Sequence, residues 1–387
     1  MIEDRLKAEL AEIAAAGLTR RRRVLETPCG RLATVDGQTL LNFASNDYLG
    51  LAGDADLARA LAGGALTWGA GSGASHLVSG HLTPHETLEN ALAAFTGFPR
   101  ALTFSTGYLA NLAVTPTLAG RGDAVFADKL NHASLIDAMQ LAKANGAEVN
   151  RYPHNDVAAL ERMLSASTAR TKVIVTDSVF SMDGDLAPLP ALFELAERFD
   201  AWLVIDDAHA FGVLGPHGEG SLAHFNLPAS PRILLMGTLG KAAGVGGAFV
   251  AGSALAIDYL LNTGRAYIFT TAAPPATACA LSASLERIRS GDTLRRQLFA
   301  NIARLRDGLA GLPWTLMPSA TAIQPLIVGD NNAALALAKA LWERGLWVPA
   351  IRPPTVPKGT ARLRISVSAA HTAADIDQLV STLKELA

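Results

Sequence analysis

Three short apolar runs decide the fold of this 387-residue chain: Val-Ile-Val at 173–175, Trp-Leu-Val-Ile at 202–205 and Ile-Leu-Leu-Met at 233–236. Polar or small residues follow each run, and helix-like segments such as residues 189–199 separate the runs. Continuous apolar strands that alternate with helices are typical of a parallel sheet with helices on both faces. The sequence therefore predicts an α/β fold in which ligands bind beyond the carboxyl ends of the strands.

The last hundred residues predict a smaller α/β unit. Leu363, Ile365 and Val367 alternate with polar residues, which predicts a strand with one face on the core and one nearer solvent. Residues 333–344 and 372–386 have helical patterns, the second beginning at a capping Thr372. We expect an N-terminal helix and arm over residues 1–45, with the helix ending at Gly17. A large domain over 46–290 and a small C-terminal α/β domain over 291–387 would follow.

The composition limits the classes of function. Lys and Arg total 33 and Asp and Glu total 35, which gives a net charge of −2, and 50% of the residues are hydrophobic. These values exclude a disordered chain and a protein that binds nucleic acid through a large basic excess. Cys29 and Cys279 are too few for a disulfide scaffold, and the N-terminus lacks the apolar stretch of a secretion signal. We expect a cytoplasmic protein with a small-molecule partner and no association with membranes.

Two familiar catalytic motifs are only partly matched in this sequence. Gly240-Lys241 is not a P-loop, because Leu235 stands where the first Gly is required and Ala242 replaces the Ser or Thr. Thr103-Phe-Ser-Thr-Gly107 differs from the nucleophile elbow of serine hydrolases in its first residue. The sequence therefore favours neither a nucleotide hydrolase nor a serine hydrolase.

A group of histidines raises the question of a metal site. His76, His81 and His85 lie within ten residues, beside two glutamates, and a zinc site is conceivable there. However, Pro84 prevents the last two histidines from lying one turn apart on a regular helix. We therefore expect ordinary loop and cap histidines and no metal site.

Asp206, His209 and Lys241 come directly after neighbouring predicted strands. A buried lysine shifts toward the neutral amine or forms a Schiff base. Pyridoxal 5′-phosphate (PLP) enzymes need such a lysine, together with a carboxylate that keeps the pyridine nitrogen protonated. Taken singly, Asp206 fits a turn or helix cap and His209 fits a buried core imidazole. Their joint placement at strand ends favours a PLP site.

The sequence resembles the α-oxoamine synthases, a family of fold-type-I PLP enzymes, from about Leu18 to its C-terminus. Six motifs carry the resemblance: Asn-Phe-Ala-Ser-Asn-Asp-Tyr-Leu-Gly-Leu at 42–51, Gly-Ser-Gly-Ala-Ser-His at 71–76, Asp-Ser-Val-Phe-Ser-Met-Asp-Gly-Asp at 177–185, Asp-Asp-Ala-His at 206–209, Gly-Thr-Leu-Gly-Lys at 237–241 and Ile-Arg-Pro-Pro-Thr-Val-Pro-Lys-Gly-Thr-Ala-Arg-Leu-Arg at 351–364. The resemblance implies a large PLP-binding domain whose mainly parallel central sheet is covered by helices, plus a smaller C-terminal α/β domain.

The resemblance also implies roles for individual residues around the cofactor. Lys241 would form the Schiff base with PLP and later act as acid and base, and Asp206 would pair with the ring nitrogen. His132 would stack on the ring and help to orient the substrate, so that these three residues are the expected catalytic groups. The remaining contacts to the cofactor would come from Gly107, Tyr108, Ser181, His209 and Thr238.

The resemblance also implies a set of substrate-binding residues, of which only His132 is also a cofactor contact. Arg352 would bind the amino-acid carboxylate through two hydrogen bonds, with Asn46 and Thr355 nearby and His132 at the ring. Arg20, or a neighbour in the basic run 20–23, would contact the acyl donor. Thr270 or Thr271 would reach in from a second subunit, so that we expect a homodimer with shared active sites.

The resemblance is greatest to the family member that condenses L-alanine with a pimeloyl thioester in biotin biosynthesis, releasing carbon dioxide and a free thiol. The donor would be pimeloyl-CoA or pimeloyl-acyl carrier protein, and the sequence does not decide between them. The alternative is another α-oxoamine synthase, such as a glycine C-acetyltransferase. Phe211 and His81 depart from the family pattern and leave the substrate range open. A nucleic-acid-binding protein on the same scaffold is disfavoured by the balanced charge and by Lys241.

Overall fold

The computed structural model describes residues 2–15 and 18–387, so that the predicted helix end at Gly17 lies outside the described residues. The strands are β1 (Leu32–Val35), β2 (Gln38–Asn42), β3 (Arg100–Phe104), β4 (Ala124–Asp128), β5 (Glu148–Tyr152), β6 (Lys172–Asp177), β7 (Ala201–Asp206), β8 (Ile233–Thr238), β9 (Ala248–Gly252), β10 (Thr315–Leu316), β11 (Ile323–Gly329), β12 (Leu346–Trp347), β13 (Ala350–Ile351) and β14 (Ala361–Ser366).

The helices begin with α1 at the N-terminus, and a π-helical turn, His76–Gly80, precedes α3. They are α1 (Ile2–Ala15), α2 (Ala55–Trp68), α3 (Thr83–Thr96), α4 (Gly107–Leu118), α5 (Ala133–Ala144), α6 (Val157–Ala166), α7 (Leu189–Arg198), α8 (Ser221–His224), α9 (Ala254–Thr263), α10 (Arg265–Ile268), α11 (Pro275–Arg289), α12 (Asp292–Leu309), α13 (Asn331–Glu343) and α14 (Ala373–Leu386). None of the helices in the described part of the chain is long and apolar enough to cross a membrane.

Among the described residues, the central sheet has seven strands in the order β3-β9-β8-β7-β6-β4-β5. Only β9 runs against its neighbours, β3 and β8, and the other neighbouring strands are parallel. Ile174 and Leu203 pack into a core on one face of the sheet, while Val173 and Val175 pack into a second core. Burial on both faces explains why these strands read as continuous apolar runs. The predicted α/β fold with a mainly parallel central sheet is confirmed.

The strand ends meet as the topology requires. Asp177 at the end of β6 is the register partner of Asp206 at the end of β7, and Asp206 is in turn the partner of Met236 in β8. The chain then leaves β8 at Thr238 and reaches Lys241 three residues later. Neighbouring parallel strands therefore deliver two carboxylates and a lysine to one edge of the sheet.

The C-terminal sheet is antiparallel in the order β10-β11-β14-β13. The predicted alternation in β14 is wrong in one respect, because both faces of this strand are buried. Arg362 forms an ion pair with Asp183, and Arg364 donates from Nε to the Ser181 carbonyl oxygen at 2.6 Å. The face that carries the polar residues thus lies against the 177–185 motif loop rather than toward solvent.

Both ends of the chain form the predicted helices. In α14, Thr372 Oγ1 accepts from the Asp375 amide and the Asp375 carboxylate accepts from the Thr372 amide, so that the predicted cap is present. The N-terminal helix α1 contains no buried residue, and its apolar face is exposed. The small sheet β1-β2-β12 links the segment after α1 to the C-terminal part of the chain.

Candidate active site

A cavity of about 160 Å³ lies at the carboxyl edge of the central sheet. Its lining includes seven of the eight predicted cofactor residues: Gly107, Tyr108, His132, Asp206, His209, Thr238 and Lys241. The eighth, Ser181, is not part of this lining, and its carbonyl oxygen is bonded to Arg364. Asn111, Ser134 and Asp177 also line the cavity, although they were not predicted as site residues.

Asp206 is held rigidly in this cavity. One carboxylate oxygen accepts from Asn111 Nδ2 at 2.7 Å, and the other accepts from the Ala208 amide at 3.0 Å. The neighbouring Asp177 accepts from the His132 amide at 2.7 Å. Burial, together with the nearby charge of Asp206, raises the pKa of Asp177 well above its usual value. The geometry therefore fixes one carboxylate toward the cavity and disfavours the charged form of the second.

Lys241 begins a buried hydrogen-bond chain. Its Nζ lies 2.8 Å from His209 Nε2, and His209 Nδ1 lies 2.6 Å from the hydroxyl of Tyr48. The Tyr48 hydroxyl donates to Asn46 Oδ1 at 3.1 Å, which also accepts from Arg364. In this arrangement His209 donates from Nδ1 to Tyr48 and accepts from Lys241 at Nε2.

Burial shifts the protonation equilibria along this chain. It lowers the pKa of Lys241 to about 8, although the carboxylates of Asp206 and Asp177 act in the opposite direction. Burial, and then the positive charge of Lys241, lowers the pKa of His209 well below its usual value. At neutral pH His209 is therefore a neutral imidazole, and Lys241 has an amine that loses its proton far more readily than an exposed lysine.

His132 closes another side of the cavity as the residue that precedes α5. Its Nδ1 lies 2.7 Å from Ser134 Oγ, which also accepts from Asn111 Nδ2 at 2.9 Å. Burial lowers the pKa of His132, so that the ring is neutral at pH 7. Ser134 and Asn111 thus connect the His132 ring to the Asp206 carboxylate.

The N-terminus of α4 forms the anion-binding side of the cavity. The helix starts at Gly107, and the preceding Thr106 accepts the Leu109 amide on its hydroxyl. The remaining first-turn amides have no partner within the helix and carry its positive dipole end. Thr238 lies beside the N-terminus of α4, because a Cβ atom placed on Gly107 would be 3.8 Å from Thr238 Cβ.

Three of the five predicted substrate residues meet in a different cavity, of about 660 Å³, and His132 lines the cavity of Lys241. Arg20, Arg352 and Thr355 line the 660 Å³ cavity together with apolar residues of α1, including Leu10 and Ile13. Asn46 lies apart from this group and belongs to the hydrogen-bond chain of Lys241. Thr271 lines a third cavity with His85, and neither Thr270 nor Thr271 lines the cavity of Lys241.

Sequence reasoning missed Tyr48 and Asn111 as members of the site. Tyr48 belongs to the 42–51 motif, which was the one indication of a role in the site. Its hydrogen bond to His209, however, joins residues that are 161 positions apart in the sequence. Asn111 lies in α4 on the same helix as the predicted phosphate ligands Gly107 and Tyr108. Neither contact has a local pattern that indicates it.

The chain resembles known proteins along nearly its whole length. The family model for aminotransferase class I and II matches residues 38–383. An 8-amino-7-oxononanoate synthase of Dechloromonas aromatica (strain RCB) is 83% identical over 387 residues, with all of both chains covered. One of Herminiimonas arsenicoxydans is 62% identical, with 99% of both chains covered. Among solved structures, one described as SPT with PLP internal aldimine has a TM-score of 0.92 and 31% identity, covering 99% of this chain and 96% of its own.

Proposed function

The chain belongs to the aminotransferase class I and II family, and on this premise we propose that it is a PLP-dependent 8-amino-7-oxononanoate synthase. The reaction is the decarboxylative condensation of L-alanine with a pimeloyl thioester, which gives 8-amino-7-oxononanoate, carbon dioxide and a free thiol in biotin biosynthesis. The observation that carries this function is the arrangement of Lys241, Asp206 and the α4 N-terminus around one cavity. The names of the full-length relatives support the choice of substrates.

The donor set of the cavity fits PLP. When bound, PLP supplies an aldehyde that reacts with amines and a protonated ring that accepts electron density. Lys241 offers the amine, Asp206 offers a fixed carboxylate for the ring nitrogen, and the α4 N-terminus with Thr238 offers donors for the phosphate. His132 and His209 would contact the ring and its hydroxyl.

Lys241 is suited to move a proton at the alanine Cα. Because its pKa is about 8, a substantial fraction of the amine is neutral near physiological pH and able to accept a proton. His209, which stays neutral, holds the Nζ atom through the 2.8 Å contact, and Tyr48 fixes the tautomer of His209. Proton transfer by such a positioned group is worth about 10²–10⁴-fold in rate.

Arg352 and Arg20 provide the charges for anionic substrates. We infer that Arg352 binds the alanine carboxylate and that Arg20 contacts the acyl donor, with Thr355 in the same 660 Å³ cavity. The apolar side chains of Leu10 and Ile13 in the same cavity suit the methylene chain of a pimeloyl group. Asn46 and His132 complete the proposed substrate contacts.

We further propose a cytoplasmic homodimer with shared active sites and the domain limits 46–290 and 291–387. The break between α11 and α12 at Ser290-Gly291 supports the second limit. The placement of Thr271 beside His85, away from Lys241 of its own chain, supports a role for this segment in the partner's site. Sedimentation of the holoenzyme tests the dimer, since a monomer that is fully active contradicts shared sites.

Product analysis tests the function. The purified holoenzyme is supplied with L-alanine and either pimeloyl-CoA or pimeloyl-acyl carrier protein, and in parallel with glycine and acetyl-CoA. We expect 8-amino-7-oxononanoate and free thiol from at least one pimeloyl donor. Thiol release from glycine and acetyl-CoA, with none from alanine and either pimeloyl donor, would establish the glycine C-acetyltransferase alternative instead. Comparison of the two pimeloyl donors identifies the carrier.

A further inference from the structure

Three histidines outside the active site converge where the π-helical turn leads into α3. The potential ligand nitrogens of His76, His81 and His85 all lie within 4.8 Å of one another. The two Nδ1 atoms of His76 and His81 are 2.8 Å apart. His81 lies in extended backbone before α3, which begins at Thr83, and its ring centroid is 5.1 Å from that of His76 in the turn. The three histidines do lie in a turn, at a cap and in the first turn of α3, as expected, but their rings also converge.

A carboxylate orients His81 toward His76. Glu86 Oε2 lies 3.0 Å from His81 Nε2, and because a carboxylate only accepts, Nε2 carries the proton. The lone pair of His81 is then on Nδ1, which faces His76. A carboxylate that accepts from the distal nitrogen of an imidazole is the usual outer partner of a metal-binding histidine.

His85 has the same tautomer as His81, whereas His76 donates from its Nδ1 to the Nδ1 of His81. His85 Nε2 donates to the Ala273 carbonyl oxygen at 2.8 Å, and its Nδ1 accepts from the Leu82 amide at 3.0 Å. His85 is buried, and these two bonds fix its ring beside the pair formed by His76 and His81. Its Nδ1 becomes a ligand when it exchanges the Leu82 amide for a cation.

The other side chains around the cluster suit a cation. Glu86 places a carboxylate against His81, and the ring of Tyr267 stacks on His76. The buried Glu89 faces the same cluster and is held by Thr103.

We propose that His76, His81 and His85 form a binding site for one divalent transition-metal ion of the Zn²⁺ class, with Glu86 as the outer carboxylate. Zn–N bonds of about 2.0–2.1 Å place two imidazole nitrogens of a tetrahedral site about 3.3 Å apart. To admit the ion, the contact between His76 and His81 opens by only about 0.5 Å, and the proton on His76 Nδ1 moves to Nε2 of the same ring. Solvent supplies the fourth ligand, because His81 is partly exposed.

The bound ion would join two segments of the chain. The histidine cluster begins next to the bridge between Ser75 and Thr271, and His85 contacts the Ala273 carbonyl oxygen. A metal ion would therefore tie the start of α3 to the segment 271–273. None of the three histidines lines the cavity of Lys241 in the same chain.

A Co²⁺ titration tests the site. Untagged holoenzyme is freed of metal with a chelator, and the visible d–d absorption of Co²⁺ is followed while Zn²⁺ competition is measured by calorimetry. We expect one saturable Co²⁺ per chain with the intense band of tetrahedral nitrogen coordination. His81→Gln and His76→Gln should each weaken binding at least tenfold, and Glu86→Gln should weaken it about tenfold, as for other outer carboxylates.

Two control variants make the outcome decisive. His217→Gln changes an exposed histidine away from the cluster and should bind Co²⁺ like the wild type. Lys241→Ala should also retain the site, which excludes chelation by the cofactor. The proposal is overturned if the wild type shows no saturable band, or if the His76→Gln/His81→Gln double variant, folded by circular dichroism, keeps the band.

Discussion

The hydroxyl of Tyr48 lies 2.6 Å from Nδ1 of His209, and the other nitrogen of that ring lies 2.8 Å from Lys241 Nζ. Tyr48 is fully enclosed, and its hydroxyl is also bonded to Asn46. A residue of the 42–51 motif therefore controls the proton position on the imidazole that contacts the proposed reactive amine. This connection makes Tyr48 a positioning residue of the site.

Tyr48→Phe should leave His209 Nδ1 without its partner in a buried environment. An unsatisfied buried polar group costs about 1–3 kcal/mol, so we expect the free energy of unfolding in urea to fall by that amount. The midpoint of the amine titration of Lys241 should move as well, because His209 is free to adopt the other tautomer. The exposed Tyr259→Phe is the matched control and should change neither quantity. If Tyr48→Phe changes neither the free energy of unfolding nor the titration of Lys241, Tyr48 does not act on Lys241 through His209.

Lys241→Met should stabilise the apoenzyme at pH 7. Burial lowers the lysine pKa from 10.5 to about 8, which corresponds to about 3 kcal/mol of unfavourable free energy for the charged form in the folded protein. Between pH 8 and 10.5 the unfolded chain binds the proton that the folded chain has lost, so the wild type gains stability as pH rises. Urea unfolding of both proteins should show a difference that shrinks across this window. A difference independent of pH contradicts the lowered pKa.

His154 connects the 177–185 motif loop to the ends of β4 and β5. Its Nδ1 lies 3.1 Å from Asp128 and its Nε2 lies 2.8 Å from Asp185. Burial alone would lower the pKa of His154, but the bonds to both carboxylates raise it to about 10. The stabilisation is therefore complete below pH 6.5 and is lost as pH rises through about 10.

His154→Gln should lower the free energy of unfolding at pH 6 by about 2 kcal/mol, because two carboxylates lose a cationic partner. The difference from the wild type should decrease steadily toward pH 10. His217→Gln, which removes an exposed ion pair of 3.6 Å, should cause little change at either pH. Equal destabilisation by His154→Gln at pH 6 and pH 10 would show that the ring is not charged.

The sequence predicts the central sheet well because its strands are buried on both faces. The apolar runs at 173–175, 202–205 and 233–236 need no tertiary information to be recognised, and the polar residues after them mark the edge where Asp206 and Lys241 meet. Strand β14 shows the limit of this reasoning. Its Arg362 and Arg364 have the spacing of an exposed face, but partners some 180 residues away bury them.

The histidine cluster and Tyr48 illustrate the same limit at the level of side chains. Pro84 does not allow His81 and His85 to lie one turn apart on a regular helix, but the π-helical turn before α3 brings their rings together in a way that helical periodicity does not predict. The contact of Tyr48 with His209 depends on how the 42–51 and 206–209 motifs pack, and neither motif alone predicts it. Such contacts are tertiary properties and become visible only in the folded chain.

Lys241 is the proposed PLP-binding amine, and covalent mapping tests this most directly. The holoenzyme is reduced with borohydride, digested, and its peptides are analysed by mass spectrometry. We expect the pyridoxyl group on Lys241, with no pyridoxyl group fixed in Lys241→Ala and normal labelling in the control Lys172→Ala. Labelling of a different lysine in the wild type, or of Lys241→Ala to the same extent, would contradict the account.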